Sequence, residues 1–321
     1  MAFLLAFGFS LILIPAARRI GLSVGLVDQP GSLKIHDEPI SVLGGVAVVA
    51  STLGAFSITH RGLPAGFASG LALALLVGIL DDARQLPPWM RVAVLSAAGL
   101  AVGVDLTGSL GAGSLGIVAL VLACSNSVNL VDGQDGLASG LAAISALCLA
   151  ALLSRSGDVG GGLGLALGGS LLAFLLWNRP PARIFLGNGG AYGVGVCLAG
   201  LAAETVLQRG WRGLFAAGVC LSVFALELLF TVARRLRSRR PLTGGDRGHA
   251  YDLAAERLGS RGKSTILFWG LGGLAGALGL ALATLPIAAG IAIVSVAAGV
   301  FAVLAFLIWK RAVDRGVETA T

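Results

Sequence analysis

Long apolar runs alternate with short polar connections along the whole chain, and this alternation predicts its elements. The apolar blocks fall at about 2–17, 42–59, 63–80, 92–104, 110–125, 137–153, 161–177, 191–207, 213–232, 264–284 and 287–309. Many approach the ~20 residues that a helix needs to cross the hydrocarbon core of a bilayer. Gly and Ala recur inside the blocks, and small residues let membrane helices pack closely. The pattern predicts an all-α, polytopic integral membrane protein of about 10–11 transmembrane helices, built as one domain over residues 1–321. The block at 92–104 is the shortest and is lengthened by starting it near Trp89. The first block runs from Met1 with no basic segment before it, which reads as a permanent span and not as a cleaved signal.

Composition sharpens this picture. Hydrophobic residues make up 56% of the 321 and charged residues only 12%, against about 25% in a soluble domain. That excludes a disordered chain and argues against a water-soluble enzyme of this size. Placing the N-terminus outside puts the connections at about 18–41, 81–91, 126–136, 178–190, 233–263 and 310–321 on the inner face. Of the 23 Lys and Arg, only Arg61, Arg155, Arg209 and Arg212 then lie outside, and the other 19 lie inside. The positive-inside rule therefore makes the inner face cytoplasmic, with the C-terminus there too, and it accounts for the net charge of +7 without nucleic acid. The four cysteines, Cys124, Cys148, Cys197 and Cys220, sit in or beside apolar blocks without metal-site spacing and read as packing residues.

The same inner connections hold nearly all the side chains capable of chemistry. Asp81 and Asp82 end an apolar run, where two carboxylates repel each other beside a low-dielectric core and at a helix end whose dipole disfavours them. Either a divalent cation or pairing with Arg84 or Arg91 would offset this. In Asn126-x-x-Asn129-x-x-Asp132-Gly-x-Asp135-Gly, residues three apart drift by only about 60° around a helix and so share a face. The glycines then mark the departure of the chain from the helix. Asn178 to Gly190 joins Arg183 to a glycine-rich turn suited to an anionic ligand. The basic stretch 234–263 attracts anionic headgroups, and it holds the acid, base and imidazole of Asp246, Arg247 and His249. The first inner loop, 28–45, carries Lys34 and His36 among prolines, both able to contact phosphate.

Taken in order, these segments resemble the polyprenyl-phosphate N-acetylhexosamine-1-phosphate transferase family. The matching stretches are DQPGSLKIHDEP with Gly44-Gly45, GILDDARQLPPWMR, NSVNLVDGQDGLASG, PPARIFLGNGG and RRLRSRRPLTGGDRGHAYD, spanning Asp28 to Leu258. The resemblance implies transfer of an N-acetylhexosamine 1-phosphate from a UDP-sugar to a polyprenyl (undecaprenyl) phosphate, with release of UMP. It implies Mg²⁺ (Mn²⁺ as the alternative ion), a cytoplasmic active site in the cell's inner or plasma membrane, and a homodimer among the partners. Carried over residue by residue, Asp81, Asp82 and His249 are the catalytic candidates. Lys34, His36, Asn126, Asn129, Asp132, Asp135, Arg183, Asp246 and Arg247 are substrate-binding candidates, and Asp81, Asp82, Asp135 and Asn188 are metal candidates.

Two departures from the family pattern matter. The FxGD segment reads Phe185-Leu-Gly-Asn188 here, so a neutral amide stands where the resemblance implies a magnesium-binding Asp. The His-rich segment keeps only His249, which points to the envelope-polysaccharide branch over the peptidoglycan enzyme. The alternatives are a weakened or inactive member, a peptidoglycan lipid-intermediate transferase, or an unrelated transporter, for which Glu227 inside a span is the main candidate.

Overall fold

A computed structural model describes residues 1–31, 36–60, 62–153, 159–239, 241, 247–286, 288–292, 295 and 299. Lys34 and Asp246, and most of the apolar block predicted at 287–309, lie outside these residues. Twelve helices follow one another among the described residues. They are α1 (Ala2–Val24), α2 (Gly44–Thr59), α3 (Ala65–Arg84), α4 (Pro88–Thr107), α5 (Ala112–Val131), α6 (Leu137–Leu153), α7 (Val159–Asn178), α8 (Gly187–Arg209), α9 (Trp211–Cys220), α10 (Ser222–Arg237), α11 (Ala250–Leu258) and α12 (Arg261–Leu282). The only sheet among them is a two-residue ladder, β1 (Val27–Asp28) against β2 (Ile40–Ser41), antiparallel with Val27 opposite Ser41.

Seven of these helices are long and apolar enough to cross a membrane, and α9 with α10 makes an eighth if the bent pair is one span. The helices α2 and α6 are apolar but shorter, so the described residues give seven or eight candidate spans where the apolar pattern predicts about 10–11. The architecture is therefore all-α and polytopic, as the apolar pattern predicts. Turn chemistry sets the boundaries. Pro88 opens α4, where its missing N–H costs no hydrogen bond, so the weak block at 92–104 becomes a full 20-residue helix. Gly25 and Gly108 close α1 and α4 in the left-handed conformation. Asp105 accepts the backbone N–H of Phe67 at 3.0 Å and satisfies a donor in the first turn of α3.

The run 213–232 is not one straight span. It breaks between Cys220 and Ser222, and the two halves meet at 70°. Apolarity alone could not show this, because both halves are apolar. The second half, α10, is amphipathic and carries Arg234, Arg235 and Arg237 in its last turn.

The centre of the bundle is α8, 83% buried in its apolar window, with α2, α3, α5, α6, α7 and α9 around it. Close approach here depends on glycine. A β-carbon on Gly45 would overlap the backbone of Gly190, and one on Gly78 would overlap that of Gly189. These contacts bring the ends of α2 and α3 directly against the first turn of α8. Large apolar side chains such as Leu4, Ile12, Leu76, Leu115, Ile266 and Leu274 point outward from the bundle, as lipid-facing residues do.

The connections α1–α2, α3–α4, α5–α6 and α7–α8 gather at one end. Gly44 and Gly45 donate to the carbonyls of Phe185 and Leu186, and Phe185 donates to that of Ser41. Gly136 donates to the Asn178 side chain at 3.1 Å. The polar segments of the sequence are thus joined physically at this end.

Candidate functional site

The helix α3 stops just after its two acids. Gln85 takes a left-handed conformation and Pro87 follows, so Asp81 and Asp82 are fixed in the last turn. Their surroundings differ sharply. Asp81 is buried, and its carboxylate accepts from Leu86 N at 2.8 Å, Arg91 Nη1 at 3.1 Å, Asn188 Nδ2 at 3.0 Å and Tyr192 OH at 3.4 Å. A buried carboxylate needs such partners. With four donors, Asp81 is a structural knot tying α3, α4 and α8 together. Of the two ways to offset the acidic pair, pairing with Arg91 is the one the structure displays for Asp81.

Asp82 is only half-buried and accepts from backbone alone: Asn188 N at 3.0 Å and Gly189 N at 3.3 Å. Beside it, Asp132 accepts the backbone N–H of Gly187. Two carboxylates from different helices therefore cap the same N-terminus, that of α8. The orphan N–H groups and the helix dipole both favour negative charge there. The sharp entry into this turn relies on Gly187, whose φ of 73° other residues rarely adopt. Burial, followed by the nearby charges of Asp82 and Asp135, pushes the Asp132 carboxyl well above the usual carboxylate range.

Asn188 sits between the acids. Asp81 only accepts hydrogen bonds, so the edge of Asn188 facing it must be the NH₂. Its carbonyl oxygen accepts from Asn129 Nδ2. The amide oxygen of Asn188 is thus turned toward Asn129, whereas a metal-ligand role requires it to face the acids. Asn126 bonds back to Leu122 O of its own helix and does not join this cluster.

The DGxDG turn is held by a residue that sequence reasoning did not select. Buried Asn178 accepts from Gly136 N and from Ser139 Oγ at 2.9 Å, and it donates to Ile184 O at 3.0 Å. Asp135 adds a bond from Ala182 N at 2.9 Å. Together they bind the α5–α6 turn to the α7–α8 loop. We predict that Asn178→Ala strands a buried N–H and a buried C=O, costs about 2–4 kcal/mol, and lowers the thermal midpoint of the purified protein by several degrees. An unchanged midpoint would refute the role given to Asn178.

His36 lies in the α1–α2 loop with Nε2 2.9 Å from Asp28 Oδ2 and Nδ1 2.7 Å from Glu38 O, and its ring stands edge-on to Phe185. It therefore neighbours the entry to α8. The Arg183 and Arg247 side chains are exposed. Buried His249, at the start of α11, has Nδ1 2.8 Å from Glu227 Oε1 and stacks on Tyr251. The Tyr251 hydroxyl donates to Leu130 O at 3.0 Å, two residues before Asp132, the C-cap of α5.

The structure thus brings Asp81, Asp82, Asn129, Asp132 and Asn188 into one cluster, sets Asp135 and His36 at its margin and ties His249 to it through Tyr251. Sequence reasoning did not select Tyr192, Thr231 or Asn178. Arg91 and Glu227 were legible only as charges near an acid pair and inside a span.

Among the described residues no group of three or more His, Cys, Asp or Glu is placed to hold a metal ion. Asp82 and Asp132 nevertheless set two carboxyl groups near each other with backbone N–H partners and no cationic side chain among the interactions described for them. Two such carboxyl groups, once ionised, suit a hard cation such as Mg²⁺, which commonly takes one or two carboxylates and completes its shell with phosphates and water.

Residues 64–206, from α3 to α8, match the family model described as Glycosyl transferase family 4. The chain is 30% identical to a probable undecaprenyl-phosphate N-acetylglucosaminyl 1-phosphate transferase of Bacillus subtilis, over 78% of this chain and 75% of that one. It is also 30% identical to an undecaprenyl-phosphate alpha-N-acetylglucosaminyl 1-phosphate transferase of Yersinia pestis, over 77% and 74%. A decaprenyl-phosphate N-acetylglucosaminephosphotransferase of Mycobacterium tuberculosis is 28% identical, over 73% and 70%.

Proposed function

The chain belongs to glycosyl transferase family 4, and from that premise we propose that it transfers an N-acetylhexosamine 1-phosphate from a UDP-sugar to a polyprenyl phosphate such as undecaprenyl phosphate. An oxygen of the lipid phosphate attacks the β-phosphorus of the donor. The bond from that phosphorus to the bridging oxygen of the α-phosphate breaks, and UMP leaves. The relatives named above favour N-acetylglucosamine as the sugar.

The observation that carries this reading is the convergence of Asp82 and Asp132 on the first turn of α8, at the end of the bundle where the polar segments meet. Two phosphate-bearing substrates repel each other, and the site has to offset that repulsion. The carboxylates Asp82 and Asp132 would hold Mg²⁺, and the ion would neutralise charge on the diphosphate. Asp81 acts differently: bound to Arg91, Asn188 and Tyr192, it fixes the position of Asp82. The same convergence weighs against a transporter, whose polar groups belong near mid-membrane on broken helices. The reading is tested with purified protein in vesicles containing undecaprenyl phosphate. UDP-N-acetylglucosamine labelled in the sugar should pass its label to the lipid fraction with an equal amount of UMP; no transfer from any of a panel of UDP-N-acetylhexosamines would refute it.

The site end is assigned to the cytoplasm, in the inner or plasma membrane, because 19 of the 23 Lys and Arg lie in connections on that side. A cysteine placed at position 109 should react with an impermeant thiol reagent added to intact cells, and one placed at position 243 should not. Outside labelling at position 243 would invert the arrangement.

A further inference from the structure

Glu227 has no role in the reaction as derived so far, yet among the described residues it is the most fully buried acid. It lies on α10, buried, with one face of its carboxylate turned to the start of α11. Oε1 meets His249 Nδ1 at 2.8 Å and Thr231 Oγ1 at 3.3 Å, and the two oxygens accept from Ala250 N at 3.3 and 3.2 Å. Thr231 Oγ1 also lies 3.3 Å from His249 Nδ1. A carboxylate accepts only, so Nδ1 must carry the hydrogen. This fixes the imidazole in one orientation and leaves Nε2 as the edge turned away from α10.

The rest of the cluster anchors that edge relative to the acids of the site. Tyr251 stacks on His249 with ring centroids 5.1 Å apart and planes within 5°. Its hydroxyl bonds Leu130 O and lies against Gly133, so a side chain at 133 would collide with it. Asp132 stands between those two contacts. Asp252 accepts the backbone N–H of His249, an N3 acid closing the first turn of α11, and burial pushes its carboxyl up to about 6. Cations flank the same turn: the Arg234 guanidinium packs under Gly248, and Arg247 is exposed beside it.

We propose that Glu227 is a positioning residue. Through Nδ1–H it locks His249 so that, in the imidazolium form, Nε2–H donates, with the neighbouring arginines, to the diphosphate of the nucleotide donor. The logic is that of an acid orienting a functional histidine by its far nitrogen. The assignment rests on the transferase reading above. It also accounts for a buried acid in α10 without invoking transport, since the charge serves a histidine at the membrane surface and not a path across it.

The test uses UDP binding, which needs no turnover, measured calorimetrically on the purified full-length protein. His249→Asn should weaken UDP about tenfold and Glu227→Gln by a similar factor. Because Glu227 acts through His249, the double variant should be no weaker than His249→Asn alone. In the transfer assay, Glu227→Gln should raise the KM for UDP-sugar and leave that for polyprenyl phosphate unchanged. Should Glu227→Gln fail to purify as a monodisperse species, Thr231→Val carries the same cycle, with an expected loss of a few-fold. Unchanged UDP affinity in Glu227→Gln, or a double variant that loses the product of the two single factors, would overturn the proposal. Intact, Glu227-dependent UDP binding without any sugar-phosphate transfer would instead remove the transferase reading and leave this one standing.

Discussion

Asp82→Asn should lower sugar-phosphate transfer by at least about a hundredfold at saturating Mg²⁺, the scale of losing one preorganised electrostatic element, while the fold survives. The carboxylate spans two N–H groups of α8, Asn188 and Gly189. An amide keeps one acceptor there and turns an NH₂ toward the other donor, which costs about 1 kcal/mol of helix capping and removes the charge that would hold the cation. Asp81→Asn should show the opposite balance. Its four donors include Arg91, so neutralising it leaves a partly buried guanidinium without its acid, and the thermal midpoint should fall further than for Asp82→Asn. Initial rates and melting curves of the two variants, taken side by side, decide this. Wild-type turnover in Asp82→Asn would remove Asp82 from the chemistry.

Asn188→Asp should make the protein depend on divalent cations for its stability as well as for its rate. The Asn188 amide nitrogen lies 3.0 Å from an Asp81 oxygen. An acid at 188 places carboxylate against carboxylate, which in the absence of a cation is relieved only by holding a proton or moving apart. In chelator, the midpoint of Asn188→Asp should fall several degrees below wild type, and millimolar Mg²⁺ should restore it. The Mg²⁺ concentration for half-maximal transfer should fall as the new charge strengthens the site. Equal midpoints with and without Mg²⁺ would show that position 188 does not face the cation. An activity indifferent to both Asn188→Asp and Asn188→Ala would show that the metal is held elsewhere.

Much of this site could be read from the chain because the signals were local. Asn129 and Asp132 sit three apart at the end of α5, the Asp81–Asp82 pair follows an apolar run, and both segments fall on the side that holds most of the Lys and Arg. The Cβ-free contacts that carry α2 and α3 onto α8 were not legible, since Gly45, Gly78, Gly189 and Gly190 look like any other small residues in apolar blocks. Asn178 was hidden for the same reason: its three bonds run to residues six, thirty-nine and forty-two positions away. The division of labour between Asp81 and Asp82 is a matter of which way each side chain leaves the last turn of α3, and adjacency in sequence says nothing about it. Glu227 illustrates the limit most clearly. As a charge within an apolar run it suggested a transport path, and only the bend after Cys220 and the return of the chain at His249 show what it serves.

The central claim is that this chain moves a sugar together with its phosphate, and not the sugar alone. The most direct measurement uses UDP-N-acetylglucosamine carrying radioactive phosphorus only in the β-position, with purified protein, undecaprenyl phosphate and Mg²⁺. The account predicts that the radioactivity enters the lipid fraction as a diphosphate-linked sugar, that the UMP released is unlabelled, and that Asp82→Asn lowers lipid labelling and UMP release together, by at least about a hundredfold. Radioactivity that stays in the aqueous phase as UDP while sugar reaches the lipid would contradict it.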